Sequence, residues 1–436
     1  MYMTDHRSEW LLAKNVFTPN DYPTLTYIGR EAEGLEEKMV DALDTPKTVI
    51  SLSGPSKSGK TVLAERVVGT ENLIAVSGAE LSSADDLWDR VFDVLDQPVT
   101  VTTTDAKATA NGGSVEVGGE IKVPFLVRLT SKGGYQRTVT NTDTVTETRG
   151  RRGMAQAEAL LKDTPAVIFI DDFHYMSRET QTSVARQIRA ASGRGIKFCV
   201  ASVPHRSDDV VRSNHELRGR TAHIDTAFWS VSDLAQIAEI GFPLLHMQIG
   251  SDDIGLLAIE ACGSPQLMQQ ICLQTCIFLR VKGDLDKTTK FDLSAEDRHN
   301  ILERAANHTD YSSLLDKFHE GPRTRGQERN AFQLIDGSSG DVYRAVLLGL
   351  STGQPMMSVP YARLIERTNA TVESGAFQSQ SIQSAVKQMA LFAKQMYKDQ
   401  RIFEWDDQVG SGTLSIVDPY LLFYIRHSGR LPKLAA

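Results

Sequence analysis

Thr48-Val-Ile-Ser-Leu-Ser-Gly54-Pro-Ser-Lys-Ser-Gly59-Lys60-Thr61 runs from an apolar, β-branched stretch straight into a G-x-x-x-x-G-K-T loop. The pattern predicts a buried strand ending in a phosphate cradle. Glycines at 54 and 59 let the backbone turn its N–H groups inward. Lys60 is long enough to reach β and γ phosphoryl oxygens, and the Thr61 hydroxyl is placed to ligate Mg²⁺. Val62-Leu-Ala-Glu-Arg-Val-Val then reads as a helix whose positive end faces the loop. Gly54, Pro55, Ser56, Lys57, Ser58, Gly59, Lys60, Thr61 and Val62 are therefore the expected ATP-binding residues. The plainer reading, a Gly/Ser-rich turn with an exposed lysine, leaves the flanking strand and helix without a purpose.

A cradle of this kind needs an acid at the end of a neighbouring buried strand. Ala166-Val-Ile-Phe-Ile-Asp171-Asp172 supplies it: a continuous apolar run, as in a central parallel strand, ending in two carboxylates. Asp171 is read as the Mg²⁺-side acid and Asp172 as the residue that activates water. The alternative is that the pair merely caps the next helix. His174 and Tyr175 follow at once and either line the site or are structural. A third strand, Ile196-Lys-Phe-Cys-Val-Ala-Ser202, is followed by Val-Pro-His205-Arg206. Ligands of parallel sheets lie beyond strand carboxyl ends, so Ser202, His205 and Arg206 are candidate sensors of a γ-phosphate.

With 436 residues, 41% hydrophobic and 23% charged, the chain has material for two or three domains with cores of their own. Its net charge of −8 argues against wholesale coating of nucleic acid, though a local basic patch remains compatible with it. Four scattered cysteines are too few for a disulfide framework and suit a reducing cytoplasm. Cys272 and Cys276 stand four apart, but no second pair or nearby histidine completes a metal site, so helix packing is expected. The N-terminus lacks a basic region followed by an apolar core, and no stretch of about 20 apolar residues occurs; no membrane span is expected.

Taken together, these motifs resemble the AAA+ and STAND branch of P-loop ATPases, most closely its replication-initiator and signal-transduction types. Tyr27-Ile28-Gly29-Arg30-Glu31 is similar to the hydrophobic-Gly-Arg-Glu box with which those families begin, and the resemblance implies contact with the adenine side of the nucleotide. Glu216-Leu-Arg218-Gly-Arg220 precedes a short strand, Ala222-His-Ile-Asp. In AAA+ proteins an arginine there often reaches a neighbouring subunit's phosphate, so Arg218 and Arg220 become catalytic candidates acting in trans. Gly263-Ser-Pro265 resembles the Gly-x-Pro motif of the STAND lid, which puts Pro265 beside the nucleotide. The resemblance covers about residues 25–280. Two departures stand out: the second acid is Asp172 where most AAA+ enzymes carry Glu, and no arginine stands beside Gly-Ser-Pro.

The expected fold is α/β: a parallel-sheet P-loop ATPase core with a β-rich insert, a helical lid and a C-terminal winged-helix domain. Residues 1–26 read as an arm, 27–230 as the core, 231–310 as the lid, 311–335 as a linker around Gly321-Pro-Arg-Thr-Arg-Gly326, and 336–436 as the winged helix. Within the core, residues 99–153 carry Asn-Gly-Gly and Val-Gly-Gly turns. They also show alternation in Ser114-Val-Glu-Val and Glu120-Ile-Lys-Val, which suggests hairpins projecting from the central sheet. That insert holds eight Lys/Arg against five Asp/Glu, with Arg149, Arg151 and Arg152 at its end. It is either a solvated loop or a surface for DNA, RNA or another subunit. In the last hundred residues, three helical patterns precede two strands, Arg401–Trp405 and Thr413–Val417, around a Gly-Ser-Gly turn. The third helix offers Lys387, Lys394 and Lys398, offset by Asp399, Glu404, Asp406 and Asp407; DNA reading and protein docking both remain open. Asp418-Pro-Tyr-Leu-Leu-Phe-Tyr-Ile-Arg-His is similar to the ending of some STAND-type ATPases.

Three functions compete. The first is a slowly hydrolysing ATP switch that forms a homo-oligomer and recruits a separate effector protein, which resemblance to STAND proteins links to bacterial anti-phage signalling. The second is an ATP-dependent DNA loader or a transposition or initiation regulator. The third is a scaffold that binds nucleotide for stability and never turns it over.

Overall fold

The computed structural model describes residues 11–97, 153–203, 217–323, 329–398, 400–407 and 412–434, together with the backbone of 100–105 and 145–150. The chain forms two compact units. One comprises Glu31–Gly54 and Lys60–Thr226; the other comprises the N-terminal residues through Arg30, Pro55–Gly59 and Ala227 onward. Among the described residues no helix is long and apolar enough to cross a membrane.

The first unit is built on seven strands: β1 (Val49–Ser53), β2 (Leu73–Ser77), β3 (Thr100–Asp105), β4 (Val145–Gly150), β5 (Val167–Asp171), β6 (Lys197–Ser202) and β7 (Thr221–Asp225). Five make a central sheet in the order β2-β5-β6-β1-β7, every neighbouring pair parallel. Strands β1, β5 and β6 are buried along almost their whole length because both faces are covered by helices. Side chains alternate between those faces. Ile50, Leu52, Val167, Phe169, Cys199 and Ala201 meet the helices Leu35–Asp44 and Lys60–Val68. Val49, Ile168, Ile170, Phe198 and Val200 meet Ala84–Val94, Met154–Leu161 and Arg178–Gly193. This is a three-layer α/β/α core. Helix starts are fixed locally: Ser83 and Asp86 form a reciprocal capping box, and the Ser177 hydroxyl accepts from Thr180 N. Strand β2 has no counterpart in the sequence reading; five residues after a Gly-Thr-Glu-Asn turn are too short to announce themselves.

An antiparallel strand pair opens and closes the expected insert. β3 and β4 pair antiparallel over six residues and, among the described residues, join no other sheet. The alternating segments at 114–117 and 120–123, and Arg151 and Arg152, lie outside the described residues, as do His205, Arg206 and the Arg149 side chain.

The second unit contains two apolar cores. Helices Val231–Leu244, Ser251–Glu260, Pro265–Phe278 and Ala295–Ala306 enclose the first. Ala13, Val16 and Phe17 of the N-terminal arm join it. A Cβ on Gly241 would stand 2.3 Å from the Phe17 ring, so the arm sits where Gly241 has no side chain. The other core is enclosed by helices Val342–Ser351, Tyr361–Asn369 and Ser379–Met396 and a three-stranded sheet of Ser358–Pro360, Phe403–Asp406 and Thr413–Ile416. Helix, strand, two helices and a hairpin in that order are the winged-helix arrangement. The stretch read as a linker differs: Ser312–Glu320 is a helix burying Leu314, Leu315 and Phe318, and Gly321 in the left-handed region (φ 63°) ends it. Helix Pro419–His427 serves both cores, with Tyr420 and Phe423 in the first and Leu421, Leu422, Tyr424 and Ile425 in the second. All four cysteines are buried and none is in a disulfide. The Cys276 thiol faces Met247 at 3.8 Å, as helix packing predicts.

Candidate functional site: a phosphate cradle and its acids

The G-x-x-x-x-G-K-T loop begins where β1 ends, and Lys60 and Thr61 open the helix Lys60–Val68. Two residues of the loop, Lys57 (φ 63°) and Gly59 (φ 89°), take left-handed backbone angles. Such alternation turns successive N–H groups into one concavity, the geometry that suits an anion. Lys60 Nζ donates to the Gly54 carbonyl at 2.9 Å across the mouth of the loop, and Ser58 N donates to Pro55 O at 3.4 Å. Val62 lies in the first turn of the helix.

Asp171 ends β5, two strands from β1, and β6 lies between them. The Thr61 hydroxyl donates to Asp171 Oδ2 at 2.9 Å. Asp171 Oδ1 accepts from the Asp172 N–H at 2.8 Å, so both carboxylate oxygens are oriented. Thr61 and Asp171 offer hard oxygen donors of the type that would hold Mg²⁺. Asp172 stands in the left-handed region (φ 54°), and its carbonyl accepts from Tyr175 N at 2.9 Å. His174 and Tyr175 lie in a 3₁₀ turn with their rings 4.3 Å apart. Ser202 ends β6 opposite Ser53, is buried, and its carbonyl accepts from Gly54 N at 3.2 Å. It therefore lies on the strand between cradle and acid. Behind it, burial and the Asp171 charge push the Cys199 thiol far up, which keeps it protonated.

Arg218 and Arg220 are brought elsewhere. Both are exposed in the turn before β7, and the Arg220 carbonyl accepts from Val49 N, at the start of β1. The cradle follows the other end of that strand, about 16 Å away for five residues at about 3.3 Å each. Neither arginine belongs to the cradle of its own chain.

The second unit holds the remaining predicted residues. Ile28 and Arg30 are buried, Tyr27 stacks on Tyr22 with ring centroids 6.2 Å apart, and Gly29 lies between the two buried positions. Thr26 Oγ1 accepts from Gln269 Nε2 at 2.7 Å, which ties this segment to the helix opened by Pro265. A Cβ on Gly59 would lie 4.0 Å from Pro265 Cγ. Ser264 Oγ donates to the Lys57 carbonyl at 3.3 Å, and Trp229 Nε1 donates to the Ser58 carbonyl at 2.9 Å.

Sequence reasoning missed Trp229, the Ser264 hydroxyl and Gly78. The last directly follows β2, and a Cβ there would meet the Asp172 carbonyl at 2.6 Å, so only glycine lets the two backbones approach. Each signal depends on a partner about a hundred residues or more away. No local period carries it.

The central parallel sheet, the loop after its first strand and the acid at the end of β5 define an α/β P-loop ATPase fold. No protein-family model matches the chain and no curated protein matches it. Among solved structures it is similar to Cdc6p from Pyrobaculum aerophilum, at 12% identity over 98% of each chain with a TM-score of 0.41. It is similar to the ORC2 protein of Aeropyrum pernix, at 12% identity over 98% of this chain and 97% of that one, TM-score 0.48. A Walker-type ATPase of Pyrococcus abyssi matches at 12% identity over 92% and 99%, TM-score 0.45.

Proposed function

We propose that the chain is an ATP-dependent molecular switch of the AAA+/STAND kind, which binds ATP with Mg²⁺, hydrolyses it slowly, assembles with copies of itself and recruits a separate effector protein. The observation that carries this reading is the Thr61–Asp171 hydrogen bond, which joins the end of the cradle to the strand-end acid. In this reading Lys60 and the cradle amides hold phosphoryl oxygens, Ser202 senses the γ-phosphate, and Tyr27, Ile28 and Gly29 face the base. Thr61 and Asp171 supply protein oxygens to Mg²⁺, which when bound neutralises charge on the β and γ oxygens. Asp172 accepts the proton of the attacking water. A carboxylate one methylene shorter than glutamate holds that water less closely, which suits a switch better than a motor. Arg218 and Arg220 act on the phosphate of a neighbouring copy. The bacterial defence setting rests on the resemblance of Gly263-Ser-Pro265 and the C-terminal segment to STAND proteins.

Lys60→Ala is expected to abolish ATP binding in a calorimetric titration. Asp172→Ala is expected to keep binding while phosphate release falls about 100-fold or more. Hydrolysis at the wild-type rate in Asp172→Ala would remove the assigned base.

The winged helix favours a second reading, an ATP-dependent DNA loader or initiation regulator. Lys394 is exposed on its third helix and Lys398 in the turn just after it, but Lys387 is held by Asp407 at 2.8 Å on an acidic hairpin edge with Glu404 and Asp406. A salt-dependent, ATP-stimulated mobility shift of duplex DNA decides for this reading; its absence leaves the effector-recruiting switch.

A further inference from the structure

The cradle turns its N–H groups inward only if its carbonyls turn outward, and two successive outward carbonyls are held by side chains distant in sequence. Ser264 Oγ donates to Lys57 O at 3.3 Å, and Trp229 Nε1 donates to Ser58 O at 2.9 Å. A peptide group is planar and trans, so its N–H points opposite its C=O. Holding the Ser58 carbonyl therefore aims the Gly59 amide. The residue is itself fixed: the Arg30 guanidinium lies 5.2 Å from the indole centroid, and the Trp229 backbone N–H donates to Gly263 O at 3.2 Å. That second bond joins Trp229 to the segment that supplies Ser264.

We infer that Trp229 is a positioning residue for the phosphate cradle, with Ser264 as its companion, and that the pair sets affinity for a nucleoside di- or triphosphate by fixing the peptide groups between Lys57 and Gly59. The inference rests on the ATP-binding reading and assigns its control to residues outside the G-x-x-x-x-G-K-T motif. Without these donors the loop gains the freedom to flip its peptides, the positive φ at Lys57 becomes harder to hold, and part of the binding energy goes into restoring it. By linkage, phosphate in the cradle strengthens the Trp229 and Ser264 contacts by the same factor. The segment 227–230 and the start of the helix Pro265–Phe278 thus register whether the cradle is filled.

The test uses the full chain with Mg-ATP, Mg-ADP and adenosine. Trp229→Phe keeps a six-membered ring beside Arg30 and removes the N–H donor together with the rest of the five-membered ring. It is expected to weaken ATP and ADP binding about 3- to 10-fold, leave adenosine binding unchanged, leave the nucleotide-free melting temperature within about 2 °C of wild type, and abolish the ATP-induced change in tryptophan emission. Affinity for ATP equal to wild type, or an equal loss for adenosine, overturns the inference. Ser264→Ala, which releases the neighbouring Lys57 carbonyl, carries the same criteria with a loss of about 2- to 5-fold should the Trp229 variant not fold. A wild-type chain that binds no ATP sinks the nucleotide reading itself, whereas wild-type binding with unaffected variants sinks only the role of Trp229 and Ser264.

Discussion

Gly59 and Lys57 share the left-handed region two residues apart, yet they tolerate change differently. Lys57 already bears the Cβ penalty, while Gly59 avoids it. A methyl on Gly59 has room, its nearest neighbour being Pro265 Cγ at 4.0 Å, so the cost of Gly59→Ala is one of backbone conformation. That cost is about 1–2 kcal/mol, to be read as a lower urea midpoint, together with a loss of ATP affinity of about 10-fold as the amides turn out of the concavity. The residues legible in the sequence were those whose chemistry is written in a contiguous motif: the cradle and the Asp171-Asp172 pair. Trp229 carried no such mark, because a single indole 171 positions from its carbonyl partner is invisible to any local pattern.

Among the elements, mostly apolar runs made β1, β5 and β6 readable, since strands buried on both faces show no polar alternation. β2 escaped notice because five residues with one exposed position look like a loop margin, and Ser312–Glu320 escaped because the Gly321-Pro pair following it dominates the local reading. The missed strand matters to the chemistry. Its end delivers Gly78 to the Asp172 carbonyl, and Gly78→Ala must push one backbone away from the other. The expected outcome is a fall in kcat of about 10-fold with ATP affinity changed less than about 2-fold, measured by phosphate release and titration side by side. Equal losses in both would mean that the displacement reaches the cradle as well as the acid.

At the scale of the whole molecule, a polar knot ties distant segments of the second unit together. Glu260, at the end of the helix Ser251–Glu260, receives two hydrogen bonds from Arg426 at 2.8 Å and one from His427 at 2.7 Å, while Arg426 also donates to the carbonyls of Leu350, Ser351 and Gly353. Burial alone would raise the Glu260 carboxyl, but the hydrogen bonds from His427 and Arg426 outweigh it and hold the group at about 2. A carboxylate depressed on folding contributes stability that is fully present above its unfolded value, near 4.3, and is lost as pH falls through about 2. Glu260→Gln is therefore expected to cost about 3 kcal/mol at pH 7 and to flatten the decline in stability between about pH 4.5 and 2, followed by urea unfolding across that range. The buried cysteines carry a different consequence. Cys199 lies in the central sheet and Cys262, Cys272 and Cys276 in the helical unit, with the thiols shielded and pushed up by burial. A thiol-directed alkylating reagent thus meets no cysteine until one of the units opens, and the cysteine modified first tells which unit opened.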